Sequence, residues 1–312
     1  MRQLDVRGTP HELIDLSEFP RAAALTWRTD RAGNREASAI RNGAHEADLL
    51  AATVAWWRRP QPFELHSEIL SEAHRFFVQA ECHEAVVGAL LTMDVFWVNH
   101  PMRDEEASRK LYQLRVANEC GLEVPVTCVT NDPVEAAGFV ERAGHDNVVY
   151  KSFTATEDAW RETRLLRKDE FELIEHVKYA PVIFQQFVPA DADLRVTIFG
   201  REIFPAAVRT SEPAYRYDYR MDLDQAAVEP FDLPPEIRDR LLELMRRLGL
   251  VYGAVDMRLT PGGRFVFLEI NPSGQWLFME ERTGMPITRR FADFLASNVD
   301  AAVAASRVSA LP

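Results

Sequence analysis

The stretch YGAVDMRLTPGGRFVFLEINPSGQW, residues 252–276, decides which fold this sequence predicts. Two apolar runs flank a Pro-Gly-Gly segment, a pattern that is typical of a β-hairpin. Gly262 and Gly263 can both adopt positive φ, so we predict a type I′ turn with these two residues at its centre. Antiparallel pairing across that turn sets Asp256 opposite Glu269.

These two carboxylates lie among apolar neighbours in both strands. Like charges that face each other destabilise a sheet by up to ~1 kcal/mol, and burying an unpaired carboxylate costs more. Asn271 follows Glu269 by two residues on the same face, and carboxylate and amide oxygens are hard donors that suit Mg²⁺. The sequence therefore predicts a magnesium site, with one alternative: Asp256 pairs with Arg258 or another basic side chain, and Glu269 caps the following loop.

Composition excludes several classes of protein. With 312 residues and 47% hydrophobic residues, the chain can bury a sizeable core. A formal net charge of −12 argues against a nucleic-acid binder. The three cysteines have no metal-binding spacing, which indicates reduced thiols. No apolar run approaches the ~20 residues that span a bilayer, and the N-terminus lacks the apolar core of a signal peptide, so we expect a cytoplasmic protein.

The order of predicted elements indicates an α/β chain of three domains. In residues 1–105 we expect a short strand within HELIDLSEFP, a second strand before Pro60, and a helix in 67–91. The apolar stripe of that helix should pack into the core: Ile69, Ala73, Phe76, Phe77, Ala80, His83 and Val87. Residues 106–185 and 186–312 form the other two predicted domains, in which strands dominate after Asp146 and a helix follows Pro235.

Longer motifs identify a family resemblance. AVDMRL followed by FLEINPSGQWLFMEERTGMPI resembles the C-terminal core of the ATP-grasp superfamily, specifically the ligases that mature microviridin-like ribosomal peptides, or graspetides. AWWRRP, SRKLYQL, GLEVPVTCVTNDP, VVYKSF and PVIFQQFVPADADLRVTIFG follow in the family's order. The likeness covers nearly the whole chain, although about one strand and most of one helix of the family's N-terminal domain are expected upstream of Met1.

The resemblance implies an ATP-grasp fold with a pre-ATP-grasp domain, a central domain and a C-terminal domain, and with ATP between two antiparallel sheets. It makes Asp256, Glu269 and Asn271 the ligands of Mg²⁺, with two ions expected, and it places Arg220 near the reacting carboxylate. It also implies a ribosomal precursor peptide as the substrate, with a leader and an acidic core, and a homodimer. The residues that it assigns to the nucleotide are Lys110, Lys151, Gln185, Gln186, Phe187 and Val188.

Two basic residues carry a physical argument of their own. Lys151 ends an apolar strand, where its ammonium is a fixed point charge for the α and β phosphates; the alternative is a lysine that extends from a strand end into water. Arg195 lies among apolar neighbours, and a buried guanidinium needs an anion. That anion is a terminal phosphate or an acyl phosphate in the functional interpretation, and Asp193 or Glu202 in the structural one.

The chemistry that these parts imply is carboxylate activation. ATP converts an Asp or Glu side chain of the peptide into an acyl phosphate, and a Ser/Thr hydroxyl or a Lys amine then displaces phosphate to close an ester or amide ring. No GxSxG or Cys/His set suggests a nucleophile in the protein itself. Two alternatives stay open: a glutamate or amino-acid ligase of the ribosomal-protein-modifying type, and a nucleotide-binding module without turnover.

Overall fold

The computed structural model describes residues 1–153, 163–210 and 225–309, the last with side chains described through residue 301. The chain divides into two compact units, one of residues 1–105 with 286–312 and the other of residues 106–285. The predicted third domain, 186–312, is therefore wrong at its end, because residues 286–312 belong to the first unit. The boundary predicted between residues 185 and 186 stays a prediction.

The first unit combines two small sheets with helices. Its elements are α1 (Arg2–Val6), a 3₁₀ turn (Leu16–Glu18), β1 (Ala23–Thr29), β2 (Arg35–Asn42), β3 (His45–Asp48), β4 (Val54–Trp56), α2 (Glu72–Leu91), β5 (Phe96–Val98) and α8 (Ile287–Ser309). Strands β1, β2 and β3 form an antiparallel sheet, and β4 pairs with β5 in parallel. On α8, Phe291 packs edge-on against Trp56 with ring centroids 4.7 Å apart. This apolar contact explains why the C-terminal helix belongs to the N-terminal unit.

Two predictions for the first unit are wrong. HELIDLSEFP contains no strand, because the Asp15 carboxylate accepts hydrogen bonds from the backbone N–H and the hydroxyl of Ser17, a local turn that competes with extended backbone. In α2 the buried residues are Cys82, Val86, Ala89 and Leu90. The predicted stripe lies on another face of the helix, where Phe76 is 79% exposed.

The second unit contains two antiparallel sheets. Helix α3 (Pro101–Ala107) leads into it from the first unit. Helix α4 (Lys110–Glu119) follows in the chain. The first sheet has the strand order β6-β9-β7-β8, and this part of the chain contains β6 (Thr127–Thr130), α5 (Pro133–Ala143), β7 (Val148–Lys151), β8 (Arg164–Leu165), a 3₁₀ segment (Lys168–Tyr179) and β9 (Val182–Gln186). The second sheet, in the order β12-β11-β10-β13-β14, is formed with β10 (Ala192–Phe199), β11 (Glu202–Arg209), β12 (Ala227–Pro230), α6 (Pro235–Leu248), β13 (Tyr252–Leu259), β14 (Phe265–Asn271) and α7 (Leu277–Thr283).

Helix α6 forms as its sequence predicts. Proline at its start supplies a fixed φ, and Gly249 ends it in the left-handed region at φ 67°. The predicted apolar stripe is buried in full: Ile237, Leu241, Leu244, Met245 and Leu248. These side chains join the core of the second sheet, in which Leu194, Val255 and Phe267 are also completely buried. Helix α6 therefore packs against the second sheet through this shared core.

No helix among the described residues is long and apolar enough to cross a membrane.

Candidate functional site

The hairpin of β13 and β14 brings the predicted acids together. Asp256 faces Glu269 across the two strands, as predicted. The turn itself differs from the prediction, because only Gly263 has positive φ, at 74°, and the Thr260 N–H donates to the Arg264 carbonyl. A three-residue loop alone would shift the pairing by one residue. One extra residue in β14, Leu268, forms a β-bulge and restores the predicted pairing.

Asn271 joins the two carboxylates into one acid cluster, defined here as Asp256, Glu269 and Asn271. Its amide nitrogen lies 3.2 Å from Oδ2 of Asp256 and 3.4 Å from Oε1 of Glu269. Both carboxylates therefore face one point. Among the described residues no group of three or more His, Cys, Asp and Glu side chains is placed to hold a metal ion. A cation at this point would depend on two carboxylates and the amide oxygen of Asn271.

Two cations flank the acid cluster. Arg195 on β10 lies directly opposite Asp256, and its Nη1 donates to Oδ2 at 2.8 Å while its Nη2 donates to the Gln275 carbonyl at 3.1 Å. Lys110, the first residue of α4, pairs with Glu269 at 2.5 Å between Nζ and Oε2. Arg195 thus binds Asp256, while Asp193 binds Arg258, and the alternative in which Asp256 binds a basic side chain is realised with Arg195.

The loop after β14 is fitted closely against Arg195. A Cβ atom added at Gly274 would lie 2.4 Å from the Ala254 Cβ and 2.7 Å from Nη2 of Arg195. The buried Tyr252 hydroxyl donates to the Gly274 carbonyl at 2.6 Å. Only a glycine allows this approach, and the sequence patterns described above assign no role to Gly274. The sequence does contain a pattern that could have indicated this glycine, namely a Gly two residues after a Pro in the loop. The role of the glycine, however, depends on a contact with β10.

The predicted adenine segment lies at the end of β9, and part of its backbone is already used. The N–H groups of Gln186 and Phe187 donate to the carbonyls of Val126 and Asn147, at 2.9 and 2.7 Å. The carbonyl of Val188 accepts from Nη1 of Arg258 at 2.7 Å. These three backbone groups are therefore engaged within the protein, which narrows where a base could bind.

The side chains of this segment differ from one another. Gln185 is buried, with its amide nitrogen 3.0 Å from Oγ1 of Thr127. The Phe187 ring lies under the Arg258 guanidinium, with 5.4 Å from the guanidinium carbon to the ring centroid. Lys151 is the last residue of β7, is partly buried and lies opposite Ile183. Its position at a strand end agrees both with a lysine that binds phosphates and with a lysine that extends into water, the two interpretations that the sequence left open.

Two further predictions concern other parts of the chain. Arg220, with the tyrosine-rich loop around it, lies outside the described residues. All three cysteines are free, and burial raises the pKa of each thiol, so that each is mostly protonated at neutral pH: Cys82, Cys120 and Cys128. Their raised pKa values disfavour a thiolate nucleophile.

Comparison with known proteins places this geometry in a family context. Residues 107–295, more than half of the chain, match the RimK-like ATP-grasp domain family. Among curated proteins, a probable alpha-L-glutamate ligase of Shewanella amazonensis is 25% identical over 222 residues, which cover 70% of this chain and 72% of the relative.

Two solved structures resemble almost the whole chain. The macrocyclase MdnC of Microcystis aeruginosa MRC, bound to its precursor peptide MdnA, is 28% identical with a TM-score of 0.84, and the match covers 94% of this chain and 93% of MdnC. A RiPP-associated ATP-grasp ligase of Chryseobacterium gregarium, in complex with ADP and a leader and core peptide, is 26% identical with a TM-score of 0.84, covering 95% and 91% of the two chains. Because they cover 94% and 95% of this chain, both matches extend over most of residues 1–106, which lie outside the RimK-like match.

Proposed function

Because this chain belongs to the RimK-like ATP-grasp domain family, we propose that it is an ATP-dependent ligase that activates Asp or Glu side chains of a ribosomal precursor peptide and closes ester or amide macrocycles. The observation that carries the proposal is the alternation of charge in one place: Arg195, Asp256, Asn271, Glu269 and Lys110. The likeness to two peptide-bound ligases over more than nine-tenths of the chain supports the peptide as substrate.

The acid cluster fits a magnesium ion by the chemistry of its donors. Asp256, Glu269 and the amide oxygen of Asn271 would hold it, and they supply only hard oxygens. When bound, Mg²⁺ neutralises charge on the phosphates of ATP and orients them. A second ion is expected as well. Arg195 keeps Asp256 fixed toward the cluster while its other nitrogen holds the loop at Gln275.

Lys110 and a cation would compete for the same carboxylate, since the Lys110 ammonium contacts Oε2 of Glu269. When a cation neutralises Glu269, the Lys110 ammonium can leave this carboxylate and bind a phosphate oxygen instead. Lys151 provides a second positive charge at the end of β7 for the α and β phosphates. Arg220 is assigned to the reacting carboxylate by resemblance alone.

The reaction consists of two displacements on the substrates. The carboxylate of the peptide attacks the γ-phosphorus of ATP, which yields an acyl phosphate and ADP. A Ser/Thr hydroxyl or a Lys amine of the same peptide then attacks the acyl carbon and releases phosphate, so that each ring costs the peptide one water. The protein contributes position and charge rather than a nucleophile. We expect the adenine to use the remaining backbone groups of the β9 segment, such as the Val188 N–H.

The test is to incubate the protein with Mg-ATP and the small Asp/Glu-rich peptide encoded nearest its gene, and to measure the intact peptide mass and ADP. We expect the loss of one or more waters, with one ADP per water, and no loss with Glu269→Gln. Glu119→Gln is the matched control, because Glu119 is a surface carboxylate on α4 paired with Arg115. An unchanged mass with ADP formed only in the presence of free glutamate would contradict the proposal.

The second candidate function is that of a glutamate ligase, favoured by the name of the Shewanella amazonensis relative. In the same experiment, added glutamate would then increase the mass of a protein or peptide substrate instead of removing water. A nucleotide-binding module without turnover would bind nucleotide but would form no ADP from ATP with any peptide. The homodimer stays a prediction, and light scattering of the purified chain measures it.

A further inference from the structure

Gln113, a buried glutamine on α4, makes three hydrogen bonds with its side chain. Its Nε2 donates to the carbonyls of Ala107 at 2.7 Å and of Ile270 at 2.8 Å, and its Oε1 accepts from the Ile270 N–H at 3.1 Å. The residue is 3% exposed. Both polar atoms of the amide are therefore used, and two of the three bonds go to the backbone of a single residue.

That residue lies on an edge strand. Among the described strands, β14 is the last of its sheet and has β13 as its one neighbour there. In an antiparallel pair, every second residue directs its N–H and C=O away from the partner strand. Ile270 is such a residue, as its N–H and C=O both bond to the Gln113 side chain. Ile270 is 1% exposed, so water has little access to it. At this position a glutamine side chain supplies the bonds that a sixth strand would supply.

The rest of the outer edge of β14 is held differently. Nearer its start, the Phe267 N–H donates to the carbonyl of Glu123 at 2.8 Å, a backbone contact that resembles strand pairing. The Leu268 bulge follows, and a bulge locally disrupts the pairing with β13. After the bulge, the strand end is fixed from outside by Gln113. This end is where the acid cluster begins.

Ile270 lies between Glu269 and Asn271, two members of the acid cluster. Lys110 precedes Gln113 by about one turn of α4 and contacts the Glu269 side chain. One helix therefore holds both the backbone and a side chain of the segment that presents the cluster. Among the described residues, the Gln113 side chain bonds to backbone groups and to neither carboxylate, so any effect on the cluster acts through the strand.

We infer that Gln113 is a positioning residue, which sets the direction in which Glu269 and Asn271 face Asp256. The inference rests on the proposed metal role of these three residues. The competing explanation is a core glutamine that only stabilises the packing of α4 on β14. The two explanations differ in one consequence: a positioning residue changes the affinity of the cluster for a cation beyond any loss of stability.

The variants are Gln113→Met, which keeps length and helix propensity but loses the three hydrogen bonds, and Gln113→Asn, a milder change that keeps the amide one methylene short. Val116→Ala is the matched control. Val116 lies on the same helix, is 5% exposed and belongs to the same core. Its truncation loosens α4 while leaving the bonds to Ile270 in place.

The measurement is the binding of Mn²⁺ in the presence of ADP, followed by electron paramagnetic resonance, with thermal unfolding recorded for each variant. We expect Gln113→Met to raise the Mn²⁺ dissociation constant about 10- to 100-fold, the range for residues that orient metal ligands. Gln113→Asn should lie between it and the wild type, and Val116→Ala should stay within about twofold.

Equal weakening by Val116→Ala and Gln113→Met would overturn the inference, as would a Gln113→Met protein that binds Mn²⁺ like the wild type. If Gln113→Met does not fold, the same comparison is made with Gln113→Asn. Glu269→Gln separates this inference from the proposed function. When Glu269→Gln abolishes Mn²⁺ binding and the Gln113 variants do not weaken it, only the role of Gln113 is wrong; when Glu269→Gln has no effect, the metal role of the cluster is wrong, and the inference is overturned with it.

Discussion

Two arginine–aspartate pairs lie side by side on β10 and β13 with opposite polarity. Arg195 on β10 pairs with Asp256 on β13 at 2.8 Å, and two residues away Arg258 on β13 pairs with Asp193 on β10 at 3.0 Å. The exposed fractions of the side chains are nearly equal, 8% and 12% for the first pair and 5% and 13% for the second. The two pairs therefore have the same residue types, join the same two strands and are buried to a similar degree.

The third contact of each pair distinguishes them. Asp256 also accepts from the Asn271 amide and so belongs to the acid cluster. Arg258 instead binds the Val188 carbonyl and lies over the Phe187 ring, so the second pair holds the segment after β9. The comparison teaches that a buried ion pair has no function of its own. The further contacts decide which part of the chain each pair fixes: the acid cluster for the first pair and the segment after β9 for the second.

The largest expected effect comes from removing one aspartate of each pair. Asp256→Asn and Asp193→Asn each leave a buried arginine without its carboxylate, so each should lower the free energy of unfolding by about 3–5 kcal/mol. Only Asp256→Asn also removes a proposed cation donor, and its turnover should fall about 100- to 1000-fold. ADP release at saturating ATP, together with urea unfolding, measures both quantities. Equal losses of turnover in the two variants would show that the pairs are equivalent.

A smaller effect is expected at the other pair. Arg258→Lys keeps the charge but loses the planar contact with Phe187 and the geometry of the bond to Val188, so ADP affinity should fall about tenfold. Turnover at saturating ATP should stay within about twofold. Calorimetric titration with ADP measures the affinity, and Arg264→Lys is the control, because Arg264 is an exposed arginine of the same hairpin. A loss of turnover without a loss of affinity would contradict this assignment.

Lys110→Met should change cation binding in the unusual direction. Because Lys110 occupies Oε2 of Glu269, its removal should let Mn²⁺ bind roughly fivefold tighter in the absence of nucleotide, the upper range for a partly exposed ion pair. The KM for ATP should rise, since a phosphate contact is lost. Titration with Mn²⁺ alone checks the first effect. Weaker Mn²⁺ binding would mean that Lys110 supports the cluster rather than competing with a cation.

The smallest expected effect concerns a solvent-exposed ion pair. Hydrogen bonds from Arg246 and Arg247 lower the pKa of Glu243 from 4.5 to about 2. A lowered pKa in the folded state stabilises the fold above the unfolded value, and that contribution is lost as the pH falls from 4.5 toward 2. Thermal unfolding of Glu243→Gln should therefore differ slightly from wild type above this window and not below it. Added salt should reduce the difference, and a salt-independent difference would contradict a screened surface pair.

The two pairs also show what sequence reasoning could and could not reach. The structural partners named for Arg195 were Asp193 and Glu202, and those for Asp256 were Arg258 or another basic side chain. The register instead pairs Arg195 with Asp256 and Asp193 with Arg258 across the strands. Antiparallel strands direct residues at i and i+2 to the same face, which makes the sequence neighbours plausible partners. Which strand lies beside β13 is a matter of topology, and the sequence near the hairpin contains no information on it.

Other errors have the same origin. The stripe of α2 has a regular helical period, yet a different face is buried, because periodicity gives an apolar face but not the element that covers it. The facing of Asp256 and Glu269 was predicted correctly although the turn has three residues, since the Leu268 bulge compensates for the extra residue. Neither Gly274 nor Gln113 stood out in the sequence, because each acts through contacts with strands that are distant in the chain.

The sequence by itself determined the family and the local elements: the apolar strands of the hairpin, the capped helix α6, and the acids and amide that form the cluster. These depend on residue type, spacing and periodicity, all of which act within a few residues. Only the tertiary structure decided that Arg195 and Lys110 flank the cluster, that Gln113 fixes the strand end, and that the C-terminal helix belongs to the N-terminal unit. Those contacts join residues that are far apart in the chain, and their partners follow from strand order and packing rather than from local preference.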